Sequence, residues 1–142
     1  MIQPSSEIRV LLVDDESSQL EIIKTYLKGH NKDLHFESTD SAVKALELAR
    51  GQHFDCVVSD YVMPYMNGVE LCVKLRGEGC EAPFILFTSQ DDEKMIRDAF
   101  MARVDDYLGK APNLAVLDIL DQRIRGLVSK RANYGSPLDQ TV

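Results

Sequence analysis

The feature that most constrains this chain is an alternation: short β-branched apolar runs, each closing on a polar or acidic residue, separated by stretches with helical spacing. Ile8 to Val13 is such a run, ended by Asp14-Asp15-Glu16, and reads as a strand buried on both faces. Leu20, Ile23 and Leu27 then recur at helical intervals, with Ser17-Ser18 as the expected N-cap and Gly29 as the expected stop. Leu34 to Thr39 alternates like a second strand, and Asp40-Ser41 caps a helix that turns Ala42, Ala45, Leu46 and Ala49 inward and ends at Gly51. Cys56 to Asp60 is a third buried strand, broken by Pro64 and Gly68 before a helix on Val69, Cys72 and Leu75. Phe84 to Thr88 is a fourth, followed by an acidic helix start at Asp91-Asp92-Glu93 with Met95, Ile96, Ala99 and Phe100 expected inward. Asp106-Tyr107-Leu108 is a short fifth strand. A last helix is expected over 113–129, with Leu117, Leu120, Ile124, Leu127 and Val128 on one side; Leu114, Val116 and Ile119 exceed what one core-facing stripe requires.

Five strands alternating with five helices predict an α/β fold, a doubly wound five-stranded parallel sheet covered on both faces, because parallel strands need crossovers and those crossovers are right-handed. In such sheets the ligand crevice lies beyond the carboxyl ends of the strands. The residues expected there are Asp14, Asp15, Asp60, Thr88 and Lys110. A length of 142 residues suits one such domain and no second. Its expected span is 7–130, with 131–142 a flexible C-terminal tail.

Composition excludes several classes of function. A net charge of -7 disfavours direct contact with nucleic acid or an anionic membrane. The N-terminal residues lack the pattern of a signal peptide and no run is long enough to span a membrane, so a cytoplasmic protein is expected. Cys56, Cys72 and Cys80 are odd in number and never spaced as Cys-x-x-Cys, which argues against both a disulfide framework and a zinc site. His30, His35 and His53 are scattered and read as structural.

Carboxylates converging at one sheet edge repel one another unless a cation compensates, and hard oxygen donors favour Mg²⁺. Taken singly, Asp14 and Asp15 could be solvated helix-start acids, Asp60 a loop acid, Thr88 a strand residue and Lys110 a surface ammonium; their common position at strand ends changes that reading. A phosphoryl group bonded to Asp60 would need a cation, a hydroxyl and a compact positive charge around its oxygens, which Mg²⁺, Thr88 and Lys110 can supply. Asp60 is then a plausible nucleophile, activated by metal coordination and alignment.

Four segments in order, Val10-Leu11-Leu12-Val13-Asp14-Asp15-Glu16, Val57 through Gly68 around Asp60, Phe87-Thr88-Ser89, and Asp106-Tyr107-Leu108-Gly109-Lys110, closely resemble the CheY-like receiver domains of two-component response regulators. The resemblance runs from Arg9 to about Ser129 and implies a (βα)5 flavodoxin-like receiver. It implies that Asp60 accepts phosphate from a sensor histidine kinase or a histidine phosphotransfer protein. It also implies that Asp15, Asp60 and the backbone carbonyl of Val62 ligate Mg²⁺, with Asp14 acting largely through water. Thr88 and Lys110 then contact the phosphoryl group, and Tyr107 matches the aromatic switch. The implied output face comprises the fourth helix, fifth strand and fifth helix, which would serve a downstream effector protein or domain and could support a homodimer. Similar receivers also precede sensor and kinase domains, so a longer parent chain is compatible with these motifs.

Three departures from the family pattern carry expectations. Ala111 separates Lys110 from Pro112, and since a cis Lys110-Ala111 bond would cost roughly 3 kcal/mol, a trans bond is expected. Tyr65 stands where the family frequently has glycine, so any positive φ there carries strain. Val62 offers no polar side chain to orient a water, so slow loss of phosphate is expected.

Other functions fit less well. A haloacid-dehalogenase-like phosphatase would need a second acid at Val62. A flavodoxin-like electron carrier would place its flavin phosphate against Asp14-Asp15-Glu16. The remaining alternative is a receiver-shaped interaction module that takes no phosphate. On the receiver reading the chain is not an enzyme beyond the phosphorylation and dephosphorylation of its own aspartate.

Overall fold

The computed structural model of the chain describes residues 7–134. Strands β1 (Ile8–Val13), β2 (Leu34–Thr39), β3 (Cys56–Ser59), β4 (Phe84–Thr88) and β5 (Asp106–Gly109) form one sheet. They alternate with helices α1 (Ser17–His30), α2 (Ala42–Gly51), α3 (Gly68–Gly77), α4 (Glu93–Met101) and α5 (Ala115–Tyr134). The sheet order is β2-β1-β3-β4-β5, and each neighbouring pair is parallel. The doubly wound α/β architecture expected from the alternation is the one observed.

Strand periodicity distributes the core between the two faces. Val10 and Leu12 of β1 join Leu20, Ile23 and Leu27 of α1 and Val116, Leu117, Leu120 and Ile124 of α5 on one face. Leu11 and Val13 point the other way, onto Ala45 and Leu46 of α2, Val69, Cys72 and Leu75 of α3, and Met95 and Ala99 of α4. Burial on both faces is why β3 and β4 read as unbroken apolar runs. Among the described residues, no helix is long and apolar enough to cross a membrane. Cys56 and Cys72 are buried and Cys80 is half-buried, all as free thiols. Burial drives the Cys72 thiol up to about 11.

Several local expectations are corrected. The α1 N-cap is Glu16, with no side-chain bond to the helix, so Ser17 and Ser18 lie in the first turn. Gly29 does not stop α1, which ends at His30 with Asn31 as C-cap. β3 closes at Ser59 and leaves Asp60 in the loop, whereas β5 continues to Gly109. Ile96 and Phe100 are not inward but 44% and 80% exposed. The buried stripe of α4 is only Met95 and Ala99, because a helix of one-sided contact offers the sheet a single narrow face. Val116 is buried with the core stripe of α5, leaving Leu114 and Ile119 exposed. α5 begins at Ala115 rather than at 113 and runs past 129 to Tyr134, so residues 131–134 of the expected tail are helical and the remainder of that tail lies outside the described residues. Ser41 and Asp92 cap α2 and α4 through their side chains, accepting from Lys44 N–H and Met95 N–H.

Candidate functional site

Strand register brings the candidate acids together. In β1 and β3, Val13 pairs with Ser59, and the ladder continues one step further as Asp60 N–H donates to the Val13 carbonyl at 2.9 Å. Asp14 and Asp60 therefore leave adjacent strands side by side, at the point where the chain order of the sheet reverses direction. Asp15 follows on the exposed side. One carboxylate oxygen from each of Asp14, Asp15 and Asp60 lies within 4.8 Å of the others.

The same mechanism delivers Lys110. Lys110 N–H donates to the Thr88 carbonyl at 2.9 Å, extending the β4–β5 ladder past Gly109. Its ammonium donates to Asp14 Oδ2 at 2.8 Å and to Asp60 Oδ2 at 3.2 Å. The second oxygen of each acid is held by backbone: Asp14 Oδ1 accepts from Glu16 N–H at 2.9 Å and Asp60 Oδ1 from Tyr61 N–H at 2.7 Å. The aspartate side chains are 5% and 11% exposed in these pairs and the lysine 16%, so the network is screened little by solvent.

Its electrostatics show an excess of negative charge. Burial pushes the Asp14 carboxyl above its ordinary range, against hydrogen bonds from Lys110 and Glu16 and the charge of Lys110 that pull it down. Burial works against the Lys110 ammonium, yet the hydrogen bond to Asp14 and the charges of Asp14 and Asp60 outweigh it and raise its pKa. Burial thus sets the direction at Asp14, and the two paired carboxylates set it at Lys110, whose ammonium bonds two of the three acids. An all-oxygen donor set with one cation too few fits a hard divalent ion such as Mg²⁺.

Thr88 ends β4 in the next strand over, with its hydroxyl accepting from Gln90 N–H at 3.2 Å. Tyr107 is half-buried against the core of the α2–α3–α4 face, and its hydroxyl donates to the Gln90 carbonyl at 2.7 Å. One peptide segment thus touches both side chains. Nothing in the sequence marks Gln90, because its backbone rather than its side chain makes these bonds. Nor does spacing indicate that Lys110 favours Asp14 over Asp60. Val62 follows Asp60 by two residues and is 52% exposed. There is no cis peptide among the described residues, so Lys110-Ala111 is trans as expected, and Tyr65 does adopt a positive φ of 71°.

Gly68 locks the loop beneath Asp60. A Cβ there would lie 2.3 Å from the Asp60 carbonyl oxygen and 2.8 Å from Leu86 Cδ1. Gly68 N–H also donates to the Tyr61 carbonyl at 2.8 Å, and the Asn67–Glu70 capping box starts α3 at this point. Gly68→Ala is expected to destabilise the fold by about 3 kcal/mol through overpacking against backbone that cannot yield. Urea unfolding checks this, and an unchanged midpoint would mean that the loop relaxes freely.

A family model described as the response regulator receiver domain matches residues 10–125. Over 112 residues the chain is 31% identical to the transcriptional regulatory protein SrrA of Staphylococcus aureus, covering 78% of this chain and 45% of that protein. The chain therefore spans about half the length of the curated relatives it matches. Among solved structures, it is similar to the receiver domain of the Francisella response regulator 1452, at 27% identity and a TM-score of 0.78 over 87% of this chain and 98% of that one. It shares its fold with the CheY-like response regulator receiver domain protein of Methanospirillum hungatei JF-1, with a TM-score of 0.82 at 23% identity over 92% of this chain and 100% of that one.

Proposed function

This chain belongs to the response regulator receiver domain family, and on that premise we propose that it accepts a phosphoryl group on Asp60 and converts that modification into a change of surface. The observation that carries this reading is the convergence of Asp14, Asp15, Asp60 and Lys110 at one sheet edge. The family binds Mg²⁺ at an acidic pocket and works with histidine kinases and effectors. For this chain we assign the metal to Asp14, Asp15, Asp60 and the Val62 backbone carbonyl, with a sensor histidine kinase or histidine phosphotransfer protein as donor. Members of the family are generally not true enzymes, and the catalysis proposed is confined to the chain's own aspartate.

An Asp60 carboxylate oxygen forms a bond to phosphorus as the bond from phosphorus to the donor's imidazole nitrogen breaks, and the electron pair leaves with the imidazole. Bound Mg²⁺ supplies charge neutralisation at the transferring oxygens. Lys110 already sits within hydrogen-bonding distance of Asp60 and offers its ammonium to a phosphoryl oxygen. Thr88 offers a hydroxyl to another, and in turning toward it gives up the Gln90 N–H bond. Tyr107 is bonded to the carbonyl of that same residue, so the loop links the site to α4, β5 and α5. This is a population shift between two arrangements of one loop. Ile96 and Phe100 of α4 and Ile119 of α5 are exposed, and we assign the α4–β5–α5 face to an effector protein or domain, or to a homodimer. We place the chain in the cytoplasm, with neither nucleic acid nor membrane as a direct partner. The apolar Val62 side chain beside Asp60 favours slow hydrolysis of the acyl phosphate.

Acetyl phosphate with Mg²⁺, followed by intact mass, tests the reading. The expected result is a gain of one phosphoryl mass that EDTA prevents. No gain with Mg²⁺ present would favour a receiver-shaped interaction module that takes no phosphate.

A further inference from the structure

Two non-glycine residues among those described adopt positive φ, Arg103 at 65° and Tyr65 at 71°. Left-handed backbone is strained for side chains of this size. At Arg103 the turn serves the fold: its carbonyl accepts from Arg76 at 3.1 Å and its N–H donates to the Phe100 carbonyl at 3.1 Å. Tyr65 offers no such internal return. Met66 N–H donates to the Pro64 carbonyl at 2.8 Å, which wraps the chain tightly around Tyr65 and turns its side chain outward. It is 102% exposed, the most exposed large hydrophobic residue described. A glycine would satisfy this turn without strain, and a smaller polar residue would avoid presenting an aromatic ring to water.

Location supplies the missing contact. Asp60 lies at the base of the same loop with its side chain only 11% exposed. Val62, Pro64 and Tyr65 follow Asp60 in that loop and are all exposed, so they are surface that a protein delivering a phosphoryl group to the carboxylate can meet. Tyrosine is rigid and amphipathic, the kind of side chain that anchors protein interfaces. We infer that Tyr65 is a docking anchor for the phosphohistidine-bearing domain of the protein donor, held by its turn in the geometry that domain meets. The inference rests on phosphorylation of Asp60, and it concerns only how a macromolecular donor is recognised.

The test compares two donors on the wild type, Tyr65→Phe and Tyr65→Asn, the asparagine being chosen because it tolerates left-handed backbone. Phosphoramidate is the small donor. The protein donors are histidine kinase cores and histidine phosphotransfer proteins of the source organism, each loaded with phosphate and screened on the wild-type chain, and the fastest is kept. Tyr65→Asn is expected to raise the KM for the protein donor about tenfold or more, while the phosphoramidate rate and the thermal midpoint stay at or above wild type. Tyr65→Phe is expected to retain most of the affinity. Equal slowing with both donors, an unchanged KM for the protein donor, or a wild type labelled by phosphoramidate and by no protein donor would each overturn the inference. Failure of phosphoramidate to label the wild type would instead sink phosphorylation of Asp60 itself.

Discussion

Asp60→Asn is expected to abolish phosphorylation by acetyl phosphate, slowing it by at least about 10³-fold, while leaving the fold intact. The carboxylate holds two hydrogen bonds, from Tyr61 N–H on Oδ1 and from Lys110 on Oδ2. Asparagine has one acceptor oxygen, so it keeps one of the two, and Lys110 remains tied to Asp14. The cost to stability is then about 1 kcal/mol. Asp14 is the poorer nucleophile, because its side chain is more enclosed than that of Asp60 and Lys110 holds it more closely, at 2.8 Å against 3.2 Å. Intact mass after incubation with Mg²⁺ and acetyl phosphate decides the matter: a phosphoryl gain in the variant equal to wild type would remove Asp60 from its role.

Lys110→Met is expected to destabilise the metal-free chain by about 3 kcal/mol, since it leaves Asp14 buried with no cation and three carboxylates within reach of one another. Methionine fills similar space, so lost packing contributes little. Mg²⁺ is expected to restore much of the loss, because a ligand that binds only the folded chain stabilises it by mass action. The ammonium and the metal compete for the same oxygens, so removing the ammonium should also tighten Mg²⁺ binding, by about tenfold or 1.4 kcal/mol. Urea unfolding with EDTA and with saturating Mg²⁺ measures both effects. Equal stabilisation of wild type and variant by Mg²⁺ would show that Lys110 does not occupy the metal's electrostatic place.

The candidate site was legible to different depths in its different parts. Asp14, Asp60 and Thr88 end or follow apolar runs, and that local pattern is enough to put them at strand ends; the parallel sheet then puts the ends on one edge. Asp60 lies one residue past β3 rather than within it, a difference that leaves its position on the edge unchanged. The outward turn of Ile96 and Phe100 was not legible, because two apolar stripes on a short helix look alike until the sheet selects one. The start of α1 differs from the expected one for a related reason: Ser17 and Ser18 have the chemistry of caps, but the helix already begins at Ser17, after an extended Glu16 whose N–H is held by Asp14.

By itself the sequence determined the order of elements, the parallel sheet and the identity of the residues at its edge. These follow from periodicity and residue type, which act over a few neighbouring positions. Tertiary structure alone decided that Lys110 bridges Asp14 and Asp60, that the Gln90 backbone joins Thr88 to Tyr107, and that Gly68 must abut the Asp60 carbonyl. Such contacts join residues from separate strands and loops. Their distances depend on strand register and on backbone atoms that every residue shares, and no side-chain pattern encodes them.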